Sequence, residues 1–580
     1  MRILNGIAAS GGISSGKALV FTHTNFEASK EKIEPSKVKE ELKKFDIAIE
    51  KSIAETQVLF DSIDDAVRKE ILETHIIMLQ DPEYISEIKE SISIHYQNAA
   101  WAVESVSASL IATLEASDVE MVRERAVDLS DISRRIIDNL SKKKSNKLTQ
   151  IKEEVILVAD SLLPSEMLKI DKRWIKAIAV DTGGRTSHVA IFARSFGIPT
   201  VLGLYGASQK AATGDEVILD GNEGQIVIRP EWYVKEKFDH VKEKWEEFQK
   251  ELLQIAKLDV ISPDKKTYIL KANIEIADET ETALANGASG IGLYRSEFLF
   301  LQKNGSLKED VQFEAYKKVL EGMKGKPVTI RTIDIGGDKA VAGFGADEDN
   351  PILGWRAIRF CLERKDIFRI QLRAMLRSSI YGKLHIMFPM ISGLDELEKT
   401  LLILEQVKEE LRTNKIPFDE DIKVGTMIEV PSAALISDEL AKRVDFFSIG
   451  TNDLIQYTIA VDRGNEKIAY LYQPFHPGVL RLIKIVIDNA HKENIPIGMC
   501  GEMASNPYAT VLLAGLGLDE FSMSPSSLLE VRKILRTVDY SEAKQLADKV
   551  LSMNSSSKIV AYIKQWMGIR FEYLSKSHTL

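Results

Sequence analysis

The sequence predicts an α/β multidomain protein, in which a small α/β unit carries an inserted helical bundle and is followed by a (β/α)8 barrel. Three observations carry this expectation. Residues 1–20 and 150–230 share short β-branched runs, "EEVILVA", "IKAIAV" and "QIVI", set between glycine-rich turns such as "GDEVILDGNEG". Residues 27–145 run almost without glycine, with apolar positions three and four apart. The last 320 or so residues alternate short apolar runs with helical segments.

Taken in chain order, residues 1–24 and 146–229 are expected to form the α/β unit. Its "GGISSGKA" nearly matches a nucleotide-binding loop. Ala18 replaces the hydroxyl that would ligate magnesium, however, and "LVF" follows where a helix should begin, so a glycine-rich hairpin is the better reading. Residues 25–145 form the inserted bundle, with "KVKEELKKFDIAIEKSIAETQVLF" and "AVRKEILETHIIMLQ" as amphipathic helices. Residues 230–260, "PEWYVKEKFDHVKEKWEEFQKELLQIAKL" and its flank, place acids and bases four apart as in an exposed linker helix. Residues 261–580 supply eight strand-like runs: "YILKANIE", "GIGLY", "PVTIRTID", "LHIMFPM", "KVGTMIEV", "FFSIG", "PIGMC" and "DEFSMS". An open doubly wound sheet is the alternative to a barrel for this pattern.

Composition narrows the function. At 580 residues, 44% hydrophobic and 28% charged, the chain can bury several cores. A formal charge of −10 argues against nucleic acid as a partner, while leaving room for local basic sites that bind small phosphates. No apolar run approaches the roughly 18 residues a membrane span needs, and "MRILNGIAASGGI" lacks the apolar core of a leader, so no stable membrane insertion and a cytoplasmic location are expected. Cys361 and Cys500 make neither a disulfide framework nor a paired metal spacing.

Chemistry concentrates at the carboxyl ends of the barrel runs, the face on which such barrels build active sites. Arg295 follows "GIGLY", Arg331 and Asp334 end the third run, and Glu429 ends "GTMIE". Asn452 and Asp453 follow "FFSIG", and Cys500 and Glu502 follow "PIGM". Arg295, Arg331 and Arg463 can fork onto phosphate or carboxylate, and Lys339 adds a cation. Glu429 and Asp453 are hard oxygen ligands suited to magnesium. Singly, each arginine could pair with a neighbouring acid and each acid could cap a helix. Together on one rim they point to phosphoryl transfer from a small phosphorylated acid. Cys500 is either a buried thiol or an acid or nucleophile.

His188 lies in "GGRTSHVAI". Alone it reads as a core histidine. Gly183 and Gly184 permit a tight turn, though, and Thr186 or Ser187 can cap the helix expected from "HVAIFARS". The helix start favours a phosphate, and an imidazole is a competent nucleophile near neutral pH, so a phosphohistidine is the favoured reading. His75 is expected to face a groove or partner, and His476, between prolines, to be structural.

"GGRTSHVAIFARSFGIPTV", "GIGLYRSEFLF", "IRTIDIGGDK", "NPILGWRAIR", "FPMIS", "MIEVPSAA", "FFSIGTNDLIQYTIAVDRGN" and "GMCGEMA" follow in this order. Over essentially the whole chain they closely resemble the enzyme I family of the bacterial sugar phosphotransferase system, the phosphoenolpyruvate-protein phosphotransferases. The resemblance implies that His188 accepts the phosphoryl group of phosphoenolpyruvate, with release of pyruvate, inside a phosphohistidine α/β domain. It implies that Arg295, Arg331, Asn452, Asp453 and Arg463 hold the substrate, that Glu429 and Asp453 bind magnesium, or manganese in its place, and that Cys500 protonates the enolpyruvate carbon. Thr186, Lys339 and Arg356 are expected to support the site. The inserted bundle would dock the carrier HPr, and the barrel would join a homodimer. Ser296 stands where threonine is usual, keeping the hydroxyl, while "LQKNGS" and "SMSPSSLLEVRKIL" depart from the family pattern. A pyruvate phosphate dikinase or phosphoenolpyruvate synthase would need a nucleotide-binding region in place of the bundle, and a non-catalytic regulatory homologue should have lost these site residues.

Overall fold

The computed structural model describes residues 1–22, 29–62, 66–116, 120–141, 148, 151–167, 170–171, 173–183, 189–190, 192–193, 197–301, 308–336, 348, 350–463, 465 and 467–571. The chain divides into two compact units between Glu247 and Phe248.

In the first unit the β-branched runs form β1 (Arg2–Asn5), β2 (Ile7–Ser10), β3 (Ile13–Phe21), β4 (Val155–Ala159), β5 (Ile175–Val180), β6 (Thr200–Leu202), β7 (Glu216–Asp220) and β8 (Gln225–Ile228). Among the described residues they make one sheet in the order β1-β8-β7-β3-β4-β5-β6-β2. β3 through β6 are parallel and the flanking pairs antiparallel. β4 is buried at every position, as expected of a parallel strand covered on both faces. "GGISSGKA" leads into β3, where Lys17 pairs across to Glu216. It is no phosphate loop, and it is not a hairpin either: β2 pairs with β6 at the sheet edge while β3 lies between β7 and β4, so Gly11 and Gly12 turn the chain from edge to interior.

The insert leaves after β3 and returns before β4 as helices Val38–Ser62, Ala66–Leu79, Pro82–Ser93, Ala99–Glu115 and Glu120–Ser141. Their starts follow capping rules. The Asp81 carboxylate accepts from the Glu83 and Tyr84 amides ahead of Pro82, and the Asn98 side chain accepts from the Trp101 amide. The apolar stripes meet in one cluster of Phe45, Ile49, Leu79, Ile88, Ile92, Val103, Ile132 and Ile136. Asp131 of the insert accepts hydrogen bonds from the Ser165 amide (2.8 Å) and hydroxyl (2.6 Å), tying the bundle to the short helix Pro164–Met167 after β4. His75 corrects its expectation. It faces no groove but is fully buried, its Nε2 3.2 Å from Asp128 Oδ1. The partner lies 53 residues away, beyond what helical periodicity can show.

The helix Trp232–Gln254 spans the boundary between units. From Phe248 onward it belongs to the second unit, where Phe248, Leu252 and Ala256 pack on Leu529, and Lys533 Nζ lies 2.7 Å from Glu251.

All eight predicted runs become barrel strands: β9 (Ile269–Ile274), β10 (Ile291–Arg295), β11 (Val328–Arg331), β12 (Leu384–Phe388), β13 (Lys423–Ile428), β14 (Phe446–Ile449), β15 (Ile497–Met499) and β16 (Glu520–Met523). Every neighbouring pair is parallel, and β16 closes onto β9 from Glu520↔Ile269 to Met523↔Ala272. That closure decides for the barrel over the open sheet. Side chains alternate as the pleat requires. Leu270, Ala272 and Ile274 of β9 join the large core shared with the helices. Lys271 turns instead to Glu520 of β16 (2.5 Å), and Asn273 donates to the Cys500 carbonyl (2.9 Å). The inward residues of the strand ends therefore gather at one mouth. Among the described residues no helix is long and apolar enough to cross a membrane.

Candidate active site

The centre of the site is Arg331, the last residue of β11, whose side chain is only 6% exposed. Its Nη2 lies 2.5 Å from Glu297 Oε1 and its Nη1 3.1 Å from Asp334 Oδ2. Asp334 bridges onward, its Oδ1 2.8 Å from Nη2 of Arg356, which in turn donates to the Tyr457 hydroxyl (3.2 Å) and stands 3.6 Å from Asp453 Oδ2. Burial works against both guanidinium charges, but the surrounding carboxylates more than offset it and hold both arginines above their ordinary range. A chain of alternating charge thus runs from Glu297 to Asp453, almost wholly out of water.

Glu429 closes the cluster at the end of β13. Its Oε1 accepts from the Met390 amide (2.7 Å). Burial, then the negative charges of Asp453 and Asp334, push its carboxyl well above the usual range. Asp453 sits in the first turn of the helix Thr451–Ile459, directly after β14. Among the described residues its Oδ1 is buried without a hydrogen-bond partner. Gly450 and Gly501 make this approach possible. A Cβ on Gly450 would stand 2.7 Å from Glu429 Oε2, and one on Gly501 would overlap the Thr451 hydroxyl. Two crowded carboxylates, one with an unpartnered buried oxygen, fit a divalent cation that takes its other ligands from substrate and water. No group of three or more His, Cys, Asp or Glu able to hold a metal occurs among the described residues.

Cys500 follows β15 and is 5% exposed among Leu293, Met387 and Met427. Burial raises its thiol pKa, which the Ser448 hydroxyl and Arg331 only partly counter, so the group stays protonated at neutral pH. At the rim, Asn452 Oδ1 accepts from the Glu502 amide (3.0 Å), and its carbonyl accepts from the Tyr472 hydroxyl (3.3 Å). The Arg463 amide donates to Gln456 Oε1 (3.1 Å). Arg295, at the end of β10, reaches Glu275 at 2.8 Å. Arg331, Arg356, Glu429 and Asp453 therefore form one network with Cys500 beside it. Arg295 and Asn452 lie at strand ends and Arg463 in the loop after the helix Thr451–Ile459, each with contacts of its own. His188, Thr186 and Lys339 lie outside the described residues.

Three family models match the chain: PEP-utilising enzyme, N-terminal, over residues 5–125; PEP-utilising enzyme, mobile domain, over 151–224; and PEP-utilising enzyme, PEP-binding domain, over 249–540. The chain is 42% identical over 98% of its length to phosphoenolpyruvate-protein phosphotransferases from Bacillus sp. (strain S) and Geobacillus stearothermophilus, covering 99% of each. It is 42% identical to that of Bacillus subtilis (strain 168) over 97% of its own length and 100% of the relative's. The chain belongs to the phosphoenolpyruvate-protein phosphotransferases. It is an enzyme of phosphoryl transfer to protein.

For a phosphoenolpyruvate-protein phosphotransferase, the site contains partners that the sequence did not single out. Glu297, fully buried against Arg331, reads in "SEFLF" as an ordinary first-turn acid of the helix Glu297–Leu301. Tyr457 lies one turn beyond Asp453 on the same helix, a spacing that could have flagged it. Glu275, one residue past β9, follows the same strand-end rule as the other site residues.

Proposed function

We propose that the barrel takes phosphoenolpyruvate and passes its phosphoryl group to His188, which then hands it to the histidine of HPr as the general first step of sugar uptake. The observation that supports this reading best is the buried Arg331–Asp334–Arg356–Asp453 chain beside Glu429. Arg331, with Arg295 and Arg463, would neutralise phosphate and carboxylate, and Asn452 would orient them. Glu429 and Asp453 would hold magnesium or manganese, which when bound would neutralise charge on the transferring phosphoryl group. His188 attacks phosphorus as the bond to the enol oxygen breaks. The protonated Cys500 gives its proton to the methylene carbon, pyruvate leaves, and the thiolate regains a proton from water.

In this reading residues 1–24 and 146–229 carry the phosphohistidine, 25–145 dock HPr, 230–260 link, and 261–580 bind phosphoenolpyruvate and dimerise, in the cytoplasm. Donor and acceptor residues lie in separate units, so the histidine must reach the barrel for the first transfer and the docked carrier for the second. The deciding experiment is incubation with labelled phosphoenolpyruvate and magnesium, followed by mapping of the label. An acid-labile, base-stable phosphoryl group on His188 is expected, and label on any other residue refutes the assignment.

Two further outcomes separate the roles. Cys500→Ala should slow pyruvate formation by about 10²–10⁴-fold, the usual worth of a positioned acid, while transfer from already phosphorylated His188 to HPr keeps its rate. Equal damage to both steps would contradict a carbon acid. Chelation of divalent metal should stop labelling by phosphoenolpyruvate and spare the second transfer, with magnesium restoring the first. Full-rate labelling in excess chelator would remove Glu429 and Asp453 from the proposed role.

A further inference from the structure

Gln371 lies on the helix Lys365–Ser378, outside the barrel wall, yet is fully buried. Its Oε1 accepts the Ile333 amide at 2.9 Å, and its Nε2 donates to the Ser296 hydroxyl at 3.0 Å and to the Tyr316 hydroxyl at 3.1 Å. Ser296 uses its one proton to donate to the Arg331 carbonyl (2.7 Å), and Tyr316 uses its own to donate to Gln312 Oε1 (3.1 Å). Each hydroxyl therefore needs a donor on its lone pairs, and the backbone amide needs an acceptor. A neutral carboxamide meets all three demands at once, whereas a carboxylate has no proton to give and an alkyl group meets none.

The residues it grips flank the arginine network. Ser296 stands between Arg295 and Glu297, and Glu297 pairs with Arg331. Ile333 directly precedes Asp334, which pairs with both Arg331 and Arg356. One side chain thus holds a residue next to each carboxylate that aims the Arg331 guanidinium, by the Ser296 hydroxyl and the Ile333 amide, and through Ser296 it holds the Arg331 carbonyl as well. We infer that Gln371 is a positioning residue for the phosphoenolpyruvate half-reaction, acting through Ser296 and Ile333 to set the Arg331 cradle. This rests on the reading of Arg331 as a ligand of phosphoenolpyruvate. It also gives a physical reason for a hydroxyl at position 296, where serine serves as threonine would.

The test compares full-length wild type, Gln371→Leu, Ser296→Ala and the double variant in two half-reactions. With phosphoenolpyruvate, Gln371→Leu should lose about 100-fold in kcat/KM with a raised KM, the scale of a misplaced binding group. Ser296→Ala should lose roughly tenfold, as for one removed hydrogen bond. The double variant should be no worse than Gln371→Leu alone, because both act through one chain. Transfer to HPr, measured on protein loaded in reverse from phosphorylated HPr, should be unchanged in all. Equal losses in both half-reactions, strictly multiplicative losses in the double variant, or an unaltered KM would overturn the inference. If Gln371→Leu fails to fold, Ser296→Ala decides by the same KM and half-reaction criteria. Absence of labelling in the wild type would overturn the functional reading and this inference with it, whereas a labelled wild type with unaffected variants overturns the inference alone.

Discussion

His188→Ala is expected to abolish labelling of the protein by phosphoenolpyruvate and all transfer to HPr, while phosphoenolpyruvate still binds the barrel in a calorimetric titration. Four of the other described histidines are held in contacts of their own, while His95 and His240 are exposed. His75 is buried against Asp128. Burial, reinforced by the Lys271 charge, lowers the pKa of His385 to about 4, and its ring lies 5.7 Å from that of Phe446. His476 uses Nδ1 to accept the Gly478 amide at a helix start, and His491 pairs with Asp519 at 2.9 Å. Each of these four is committed to a structural contact and could not substitute without breaking it. HPr phosphorylation by the His188→Ala protein at a measurable fraction of the wild-type rate would move the acceptor elsewhere.

The architecture was readable because each barrel strand is a short apolar run whose outward half packs on helices. "GIGLY" or "FFSIG" between helical segments admits little else. The strand-end rule then located Arg331, Glu429, Asp453 and Cys500, since backbone geometry alone brings those ends to one mouth. Pairing across the mouth was not readable. Glu297 and Gln371 sit at positions that look like a helix-start acid and a polar face, in "SEFLF" and "RIQLRAM". Their burial depends on which helix the closed barrel sets behind β11, a tertiary fact without a sequence period. His75 failed for the same reason: one imidazole in "ETHIIML" carries no sign of an aspartate on a distant helix. "GGISSGKA" misled differently. Gly11 and Gly12 predict a turn correctly, but sheet order, not turn chemistry, decides whether the joined strands pair.

Arg331→Met should cost both fold and function, and the sizes of the two losses can be argued separately. The side chains of Arg331, Glu297 and Asp334 are 6%, 0% and 2% exposed. Removing the cation leaves Glu297 and Asp334 facing each other and Glu429 without solvent to screen them. Breaking a buried pair in this way destabilises by about 3–5 kcal/mol, far more than an exposed ion pair is worth. Methionine fills much of the vacated volume, so little of the loss comes from a cavity and most from uncompensated charge. Denaturant unfolding of the full-length protein should show the loss in the transition assigned to the second unit alone, since no part of this network lies before Phe248. Arg331→Lys separates charge from geometry. An ammonium keeps the positive charge but cannot reach Glu297 and Asp334 together with a planar fork, so it should recover most of the stability and little of kcat/KM for phosphoenolpyruvate. A lysine variant restored in both respects would mean that the site needs only a positive charge there, and that the two flanking carboxylates do not aim it.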